Sequence, residues 1–166
     1  MVTVSEIFAK LSAALPDRGL TLEEGAVEAA IRVPREALIE TARRLRDDAE
    51  LNFDALMCLS GVDRAAELEA VYHLCSMTLR HRVTLRCVVP KDDPVIPSLC
   101  ALWPAANWHE REAWDMLGVR FSGHPDFRRI LCPDDWEGHP LRKDYAVPTS
   151  YHGIPLTSEL PPENTP

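Results

Sequence analysis

Residues Asp54–Val89 read DALMCLSGVDRAAELEAVYHLCSMTLRHRVTLRCVV, and this stretch decides the fold. It holds three apolar runs of strand length, about 54 to 60, 67 to 77 and 82 to 89. The last alternates cleanly, with Val83, Leu85, Cys87 and Val89 set against Thr84, Arg86 and Val88. Ser60-Gly61-Val62-Asp63 and Arg80-His81 are the connections between the runs. Links this short join antiparallel neighbours, because a parallel pair needs a long crossover.

Upstream, Val4, Ile7, Phe8, Leu11 and Leu15 fall at helical spacing, with Thr3 and Glu6 as a capping box. Pro16-Asp17-Arg18-Gly19 ends that helix. Val27, Ala29, Ile31 and Val33 alternate as in a strand. Pro34 suits the first turn of a second helix, 34 to 48, with Leu38, Ala42 and Leu45 on its inner face. Its end carries Arg43, Arg44 and Arg46, which complement the helix dipole. Downstream, Pro94 and Pro97 break the strand pattern before a helical turn over Ser98 to Trp103. The order predicts an α+β fold, with helices packed on a mainly antiparallel sheet, followed by a long charged loop and an extended C-terminal tail.

The loop belongs to the densest stretch of the chain, Asn107–Tyr145, NWHEREAWDMLGVRFSGHPDFRRILCPDDWEGHPLRKDY. Three of the four tryptophans lie in it, and Trp103 just precedes it. Asn107 is a good N-cap with Glu110 three residues on, and Gly118 fits a left-handed helix end, so a helix runs from Trp108 to Leu117. Arg111 and Asp115 are four apart and so lie on one face, within pairing reach. Turn formers follow at 122–125, 133–135 and 137–140. Trp and Arg together mark a packed core edge or a binding surface.

The bulk numbers exclude several function classes. A chain of 166 residues is one domain by length, able to bury about 70% of its unfolded surface. Its net charge of −8 argues against nucleic acid as a main partner. The start, Met1 to Glu6, has neither the basic nor the apolar region of a secretory signal. No apolar run approaches the roughly 20 residues of a membrane helix. Five cysteines, Cys58, Cys75, Cys87, Cys100 and Cys132, show no close pair, which predicts reduced thiols in a cytoplasmic setting and no iron–sulfur ligation. There is no Gly-rich phosphate loop and no Gly-x-Ser-x-Gly.

Two clusters invite sharper chemistry. His109, His124, His139 and His152 crowd the C-terminal third, but His124 and His139 each precede a proline in a turn, where bonding to backbone fits better than metal ligation. Glu110, Glu112 and Asp115 could form an acid–base group; interleaving with Arg111, Arg128 and Arg129 favours a charge network instead. Of Trp103, Trp108 and Trp114, at least two are expected to seat the helix on the sheet. Residues 1–145 form the α+β domain on this basis. Residues 146–166, with five prolines and no period, form an extended tail spaced with Val147, Tyr151, Ile154, Leu156 and Leu160.

Glu110-Arg111-Glu112, Asp115, Met116-Leu117, His124, Arg128-Arg129 and Ile130-Leu131, followed by Gly138 to Tyr145 (GHPLRKDY), resemble the signature of the C subunit of the proton-pumping NADH–quinone oxidoreductase, respiratory complex I. The match is gapless and covers about a quarter of the chain. The resemblance implies a peripheral-arm subunit without a redox centre of its own. By the same resemblance the chain packs against the large quinone-site subunit (D) near the small iron–sulfur subunit (B), and it supports and positions the quinone module. FMN, iron–sulfur clusters and quinone then belong to partner subunits, and membrane association, at the cytoplasmic face of the bacterial cell membrane, comes only through the complex. Glu110, Arg111, Glu112, Asp115, His124, Arg128, Arg129, Arg142, Lys143 and Asp144 are the expected assembly residues, none of them catalytic. Two alternatives stand beside this: the same role in a related ferredoxin- or deazaflavin-dependent complex, and a small stand-alone hydrolase using Asp115 or Glu112 with His124.

Overall fold

A computed structural model describes residues 2–25, 28–64 and 66–156. Three helices, α1 (Val4–Ala14), α2 (Leu38–Asp47) and α3 (Ala106–Leu117), accompany nine strands among the described residues. Five of these form the main sheet: β1 (Thr21–Glu23), β2 (Ala30–Arg32), β3 (Ala55–Asp63), β4 (Glu67–Ser76) and β5 (His81–Pro90), in the order β1-β2-β5-β4-β3. All pairings are antiparallel except β2 with β5. The expected α+β class holds, with that one parallel pair inside it.

Register explains how the core is made. Tyr72 pairs with Leu85 and Leu59, Leu74 with Val83 and Leu56, and Leu68 with Val89. These side chains share one face and are buried. Ile7 and Leu11 of α1, Leu38, Ala42 and Leu45 of α2, and Ala106, Ala113 and Leu117 of α3 join the same core. The Thr3–Glu6 capping box is formed, with Thr3 N–H donating to the Glu6 carboxylate at 2.7 Å. Pro34 precedes a 3-10 turn, Arg35–Ala37, that leads into α2.

The short elements depart from the sequence expectations. Val27 lies outside the described residues, and the strand there is Ala30–Arg32. Three-residue β1 has no period to betray it. Ser60–Asp63 is no turn; it completes β3, which is bulged between Leu56 and Cys58. Arg80, with φ 55°, closes the β4–β5 turn and His81 begins β5. Pro94 precedes and Pro97 ends a short strand, β6 (Val95–Pro97), which pairs in parallel with β7 (Arg120–Ser122). The helical turn expected over Ser98–Trp103 is present as a single turn, with Trp103 N–H donating to Leu99 O at 3.0 Å. The tail from Ala146 is not wholly extended: β8 (Ser150–Tyr151) and β9 (Ile154–Pro155) make a small hairpin, and residues 157–166 lie outside the described residues.

One glycine positions α3. A Cβ at Gly61 would lie 2.5 Å from Leu117 Cδ1 and 3.5 Å from the Ala113 Cβ, so the absence of a side chain lets α3 sit directly on β3. Gly61→Val overpacks this contact and should lower stability by about 1–3 kcal/mol. Adding Leu117→Ala to that variant should recover part of the loss. Thermal unfolding of the two variants and the wild type checks this; an unchanged melting temperature for Gly61→Val would contradict the packing described.

Candidate functional site

α3 divides the signature residues by helical period. Glu110, Arg111 and Asp115 are buried, while Trp108 and Glu112 face outward. The N-cap is Ala105 without a side-chain bond, so Asn107 is not the cap expected from sequence. Glu110 is thereby freed from a capping role and points inward. One of its oxygens accepts the Leu99 N–H at 2.7 Å and the other faces the Cys100 thiol at 3.4 Å. Burial pushes its carboxyl up from the ordinary value. Burial also pushes the Cys100 thiol up to about 11, and the Glu110 carboxylate beside it adds to the rise.

Asp115 organises the following loop. One carboxylate oxygen accepts three successive backbone N–H groups, Ile130 at 3.0 Å, Leu131 at 2.8 Å and Cys132 at 2.9 Å. The other meets the Arg129 guanidinium at 2.5 Å. Successive N–H groups converging on one anion form a nest with a fixed positive partial charge. Burial alone would raise the Asp115 carboxyl; the three N–H donors and Arg129 together hold it below its ordinary 3.8. A depressed folded value means that its stabilisation is complete above pH 3.8 and is lost as pH falls through the folded value.

Arg129 reaches on from Asp115. Its second nitrogen donates to Trp136 O at 2.6 Å and Gly138 O at 3.0 Å, and its guanidinium lies 5.5 Å from the Trp114 ring centre. With the bonds to Asp115, this one planar group ties α3 to two turns of the loop. Arg111 does a parallel job one turn earlier. It donates to Arg128 O and Arg129 O, both at 3.1 Å, and lies 3.6 Å from Asp126. The expected Arg111–Asp115 pair therefore does not form; each side chain finds a better partner in the loop. Arg128 itself turns outward, 66% exposed, and pairs with Asp126 at 3.0 Å.

The histidines behave as turn residues. His124 has both ring nitrogens in backbone hydrogen bonds, Nε2 with Asn107 O at 3.2 Å and Nδ1 accepting from Asp126 N–H at 3.0 Å. His139 Nδ1 donates to Asp115 O at 3.1 Å. Its ring lies over Gly118, where a Cβ would meet His139 Cδ2 at 2.6 Å, so Gly118 serves both its left-handed φ of 79° and this approach. Donor atoms of Cys100, Glu110 and His124 lie within 4.8 Å of one another, the spacing of a metal site. Each is already engaged, and freeing Nε2 as a ligand would turn Nδ1–H against the Asp126 N–H.

The end of the signature is fastened to the sheet by Asp63, 80 residues distant in sequence. It accepts the Lys143 N–H at 2.7 Å and pairs with Lys91 at 2.7 Å. Arg142 is partly buried and 3.6 Å from Asp144; the Lys143 and Asp144 side chains face solvent. The tail hairpin returns to the same loop, with the Tyr151 hydroxyl and His152 Nε2 donating to Asp135 at 2.8 and 2.7 Å and Tyr151 against Trp136 at 5.2 Å.

The ten sequence candidates thus separate into an inner set, Glu110, Arg111, Asp115, His124 and Arg129, a partly buried Arg142, and an outer rim of Glu112, Arg128, Lys143 and Asp144. Trp103 is buried with Nε1–H donating to Phe53 O at 3.0 Å, and Trp114 packs on Phe127 at 4.6 Å. Trp108 is 61% exposed and held by the Arg111 guanidinium at 5.3 Å. With it, Phe127, Leu131 and Leu141 are large apolar groups left open to solvent on a backbone held by buried charge. Sequence reasoning passed over these four as a surface, although the outward phase of Trp108 relative to Glu110 and Arg111 was available.

Residues 31–151 match the family model described as respiratory-chain NADH dehydrogenase, 30 Kd subunit. A protein of Roseiflexus castenholzii, named as the C subunit of NADH-quinone oxidoreductase, is 50% identical over 144 residues, covering 85% of this chain and 83% of the relative. Among solved structures, the Nqo5 trypsin-resistant fragment (1-134) is 27% identical with a TM-score of 0.62, covering 72% of this chain and 98% of that one. A chain of the membrane-bound sulfane sulfur reductase, an archaeal respiratory membrane complex, is 26% identical with a TM-score of 0.70, covering 86% of this chain and 85% of that one. Helix α3, its charged loop and strands β3, β4 and β5 all fall in the matched region, and the chain belongs to the 30 Kd subunit family of the respiratory-chain NADH dehydrogenase, the family of the NADH–quinone oxidoreductase C subunits.

Proposed function

We propose that this chain is a peripheral-arm subunit of a proton-translocating NADH:quinone oxidoreductase that carries no cofactor and performs no chemistry of its own, and that it supports and positions the quinone-site module. The large quinone-site subunit (D) and the small iron–sulfur subunit (B) are its proposed neighbours. FMN, iron–sulfur clusters and quinone are assigned to partner subunits, and the membrane contact, at the cytoplasmic face of the bacterial cell membrane, to the assembly as a whole. No described helix is long and apolar enough to cross a membrane.

One observation carries this reading: buried charge is spent on holding a loop whose outer surface is apolar and aromatic. The oxygens of Asp115 are filled by backbone N–H groups and Arg129, and both nitrogens of His124 are engaged with backbone. A hydrolytic base needs a free lone pair within reach of its proton, and these groups lack one. Glu112 faces solvent. What remains presented is Trp108, Phe127, Leu131 and Leu141 with Arg128, the composition of a protein interface. The likeness to a chain of the sulfane sulfur reductase complex favours a second reading, the same supporting role in a related membrane oxidoreductase with another donor or acceptor.

Purification of the tagged chain from its own membranes in mild detergent tests the assignment. The expected outcome is a large assembly with flavin and iron–sulfur absorption and NADH-dependent quinone reduction. Elution as a free 18.6 kDa chain would contradict it. Arg129→Ala removes the cationic partner of buried Asp115 and leaves three backbone N–H groups against that charge; breaking a buried pair typically costs about 3–5 kcal/mol, and the N–H groups hold the cost here to the lower end of that range. The substitution should reduce recovery of the assembly, while the exposed Arg128→Ala should leave folding of the isolated chain unchanged. Limited proteolysis addresses the tail: cleavage after Ala146 should be fast in the isolated chain and slow in the assembly, and equal rates in both would remove the tail from the proposed contacts.

A further inference from the structure

β3 is an edge strand. β4 lies on one side of it, and no strand lies on the other among the described residues. Its backbone makes no described hydrogen bond to any element but β4. Edge strands in monomers are protected by charges, prolines, bulges or short length. β3 has nine residues, and from Ala55 to Val62 it carries no charge and no proline. Between Ala55 and Val62 it has the bulge beside Met57 alone; the inward charge of Asp63, with Lys143 N–H held on it, protects only the far end. Met57 is 49% exposed there, and the adjoining β4–β5 turn adds Met77 at 71% and Leu79 at 42%. Asp54 ties that turn to the start of the strand, accepting the Met77 N–H at 2.9 Å. The result is an open row of backbone donors and acceptors beside a flexible, methionine-rich apolar rim.

We infer that β3 is a docking edge for an extended segment of a partner subunit, which adds to the main sheet as a sixth strand. The inference rests on the proposed place of the chain in a multi-subunit assembly. Strand addition draws its affinity from main-chain hydrogen bonds and its selectivity from side-chain chemistry along the edge. The uncharged run from Ala55 to Val62 selects an uncharged centre in the partner segment. Asp54, exposed at the start of the strand, bonds only neutral donors, the Met77 N–H at 2.9 Å and the Thr78 hydroxyl at 3.2 Å, so its negative charge stays unbalanced there and selects a lysine or arginine in the partner segment. A second copy of this chain is a poorer occupant, because each copy carries a net charge of −8 and two copies repel.

Amide hydrogen exchange of the native assembly and of the isolated chain tests the inference. Outward amides of β3 should exchange at least about tenfold more slowly in the assembly, while those of the core strand β4 change little. Ser60→Lys, at an exposed position, should fold with an unchanged melting temperature yet be recovered in the assembly at clearly reduced yield. Equal β3 exchange in an intact assembly would overturn the strand addition while leaving the proposed function standing. Failure of the chain to enter any assembly would overturn both. Concentration-dependent dimerisation of the isolated chain, with β3 protected, would overturn the partner segment in favour of a second copy.

Discussion

The carboxylate of Asp115 sits at the centre of the C-terminal half of this protein. A buried anion demands compensation, because removing it from water costs several kcal/mol. Here that compensation comes from the loop itself, through three successive N–H groups and Arg129. The need therefore acts in both directions. Asp115 cannot be buried unless residues 129–132 fold around it, and those residues have no sheet or helix of their own to satisfy their N–H groups.

The rest of the arrangement follows from this exchange. Arg129 is drawn inward and its remaining donors take Trp136 O and Gly138 O, so the next turn is fastened as well. His139 closes over Gly118 and bonds Asp115 O, and Leu141 N–H donates to Met116 O at 2.9 Å. Asp63 completes the path by holding Lys143 N–H against the end of β3. A segment with little regular structure is thus held at many points by backbone contacts. Apolar side chains on such a segment lose little further freedom on docking, which is how a fixed surface gains affinity over a mobile one.

The longer elements were legible in the sequence because their periods are long enough to count. β4 and β5 are ten residues each, with clean alternation visible from Val83 to Val89, and α1 shows both its period and its capping box. β1, β6 and β7 have three residues each and no period to find. Gly61 reads as a turn former, yet its role is to make room for Leu117; close approach and turning ask for the same residue type. Local rules failed at the site for a related reason. Spacing brings Arg111 beside Asp115, and an isolated helix would pair them. In the folded chain, loop carbonyls and the N–H nest offer each a stronger partner. Spacing also leaves Arg128 and Arg129 equivalent as inward candidates; only the loop path decides that Arg129 turns in and Arg128 out.

Amide exchange at Ile130, Leu131 and Cys132 in the isolated chain tests the central role of Asp115 most directly. In the wild-type protein these three N–H groups should be protected although they lie in no helix or strand. In Asp115→Asn the anion is gone: an amide that turns its oxygen to the three N–H groups sets its NH2 against Arg129, and one that turns its oxygen to Arg129 sets its NH2 against the three N–H groups. All three should then lose protection together, by about tenfold or more, while β4 and β5 keep theirs. Unchanged protection of the three amides in Asp115→Asn would contradict the account, because something other than this carboxylate would then be holding the loop.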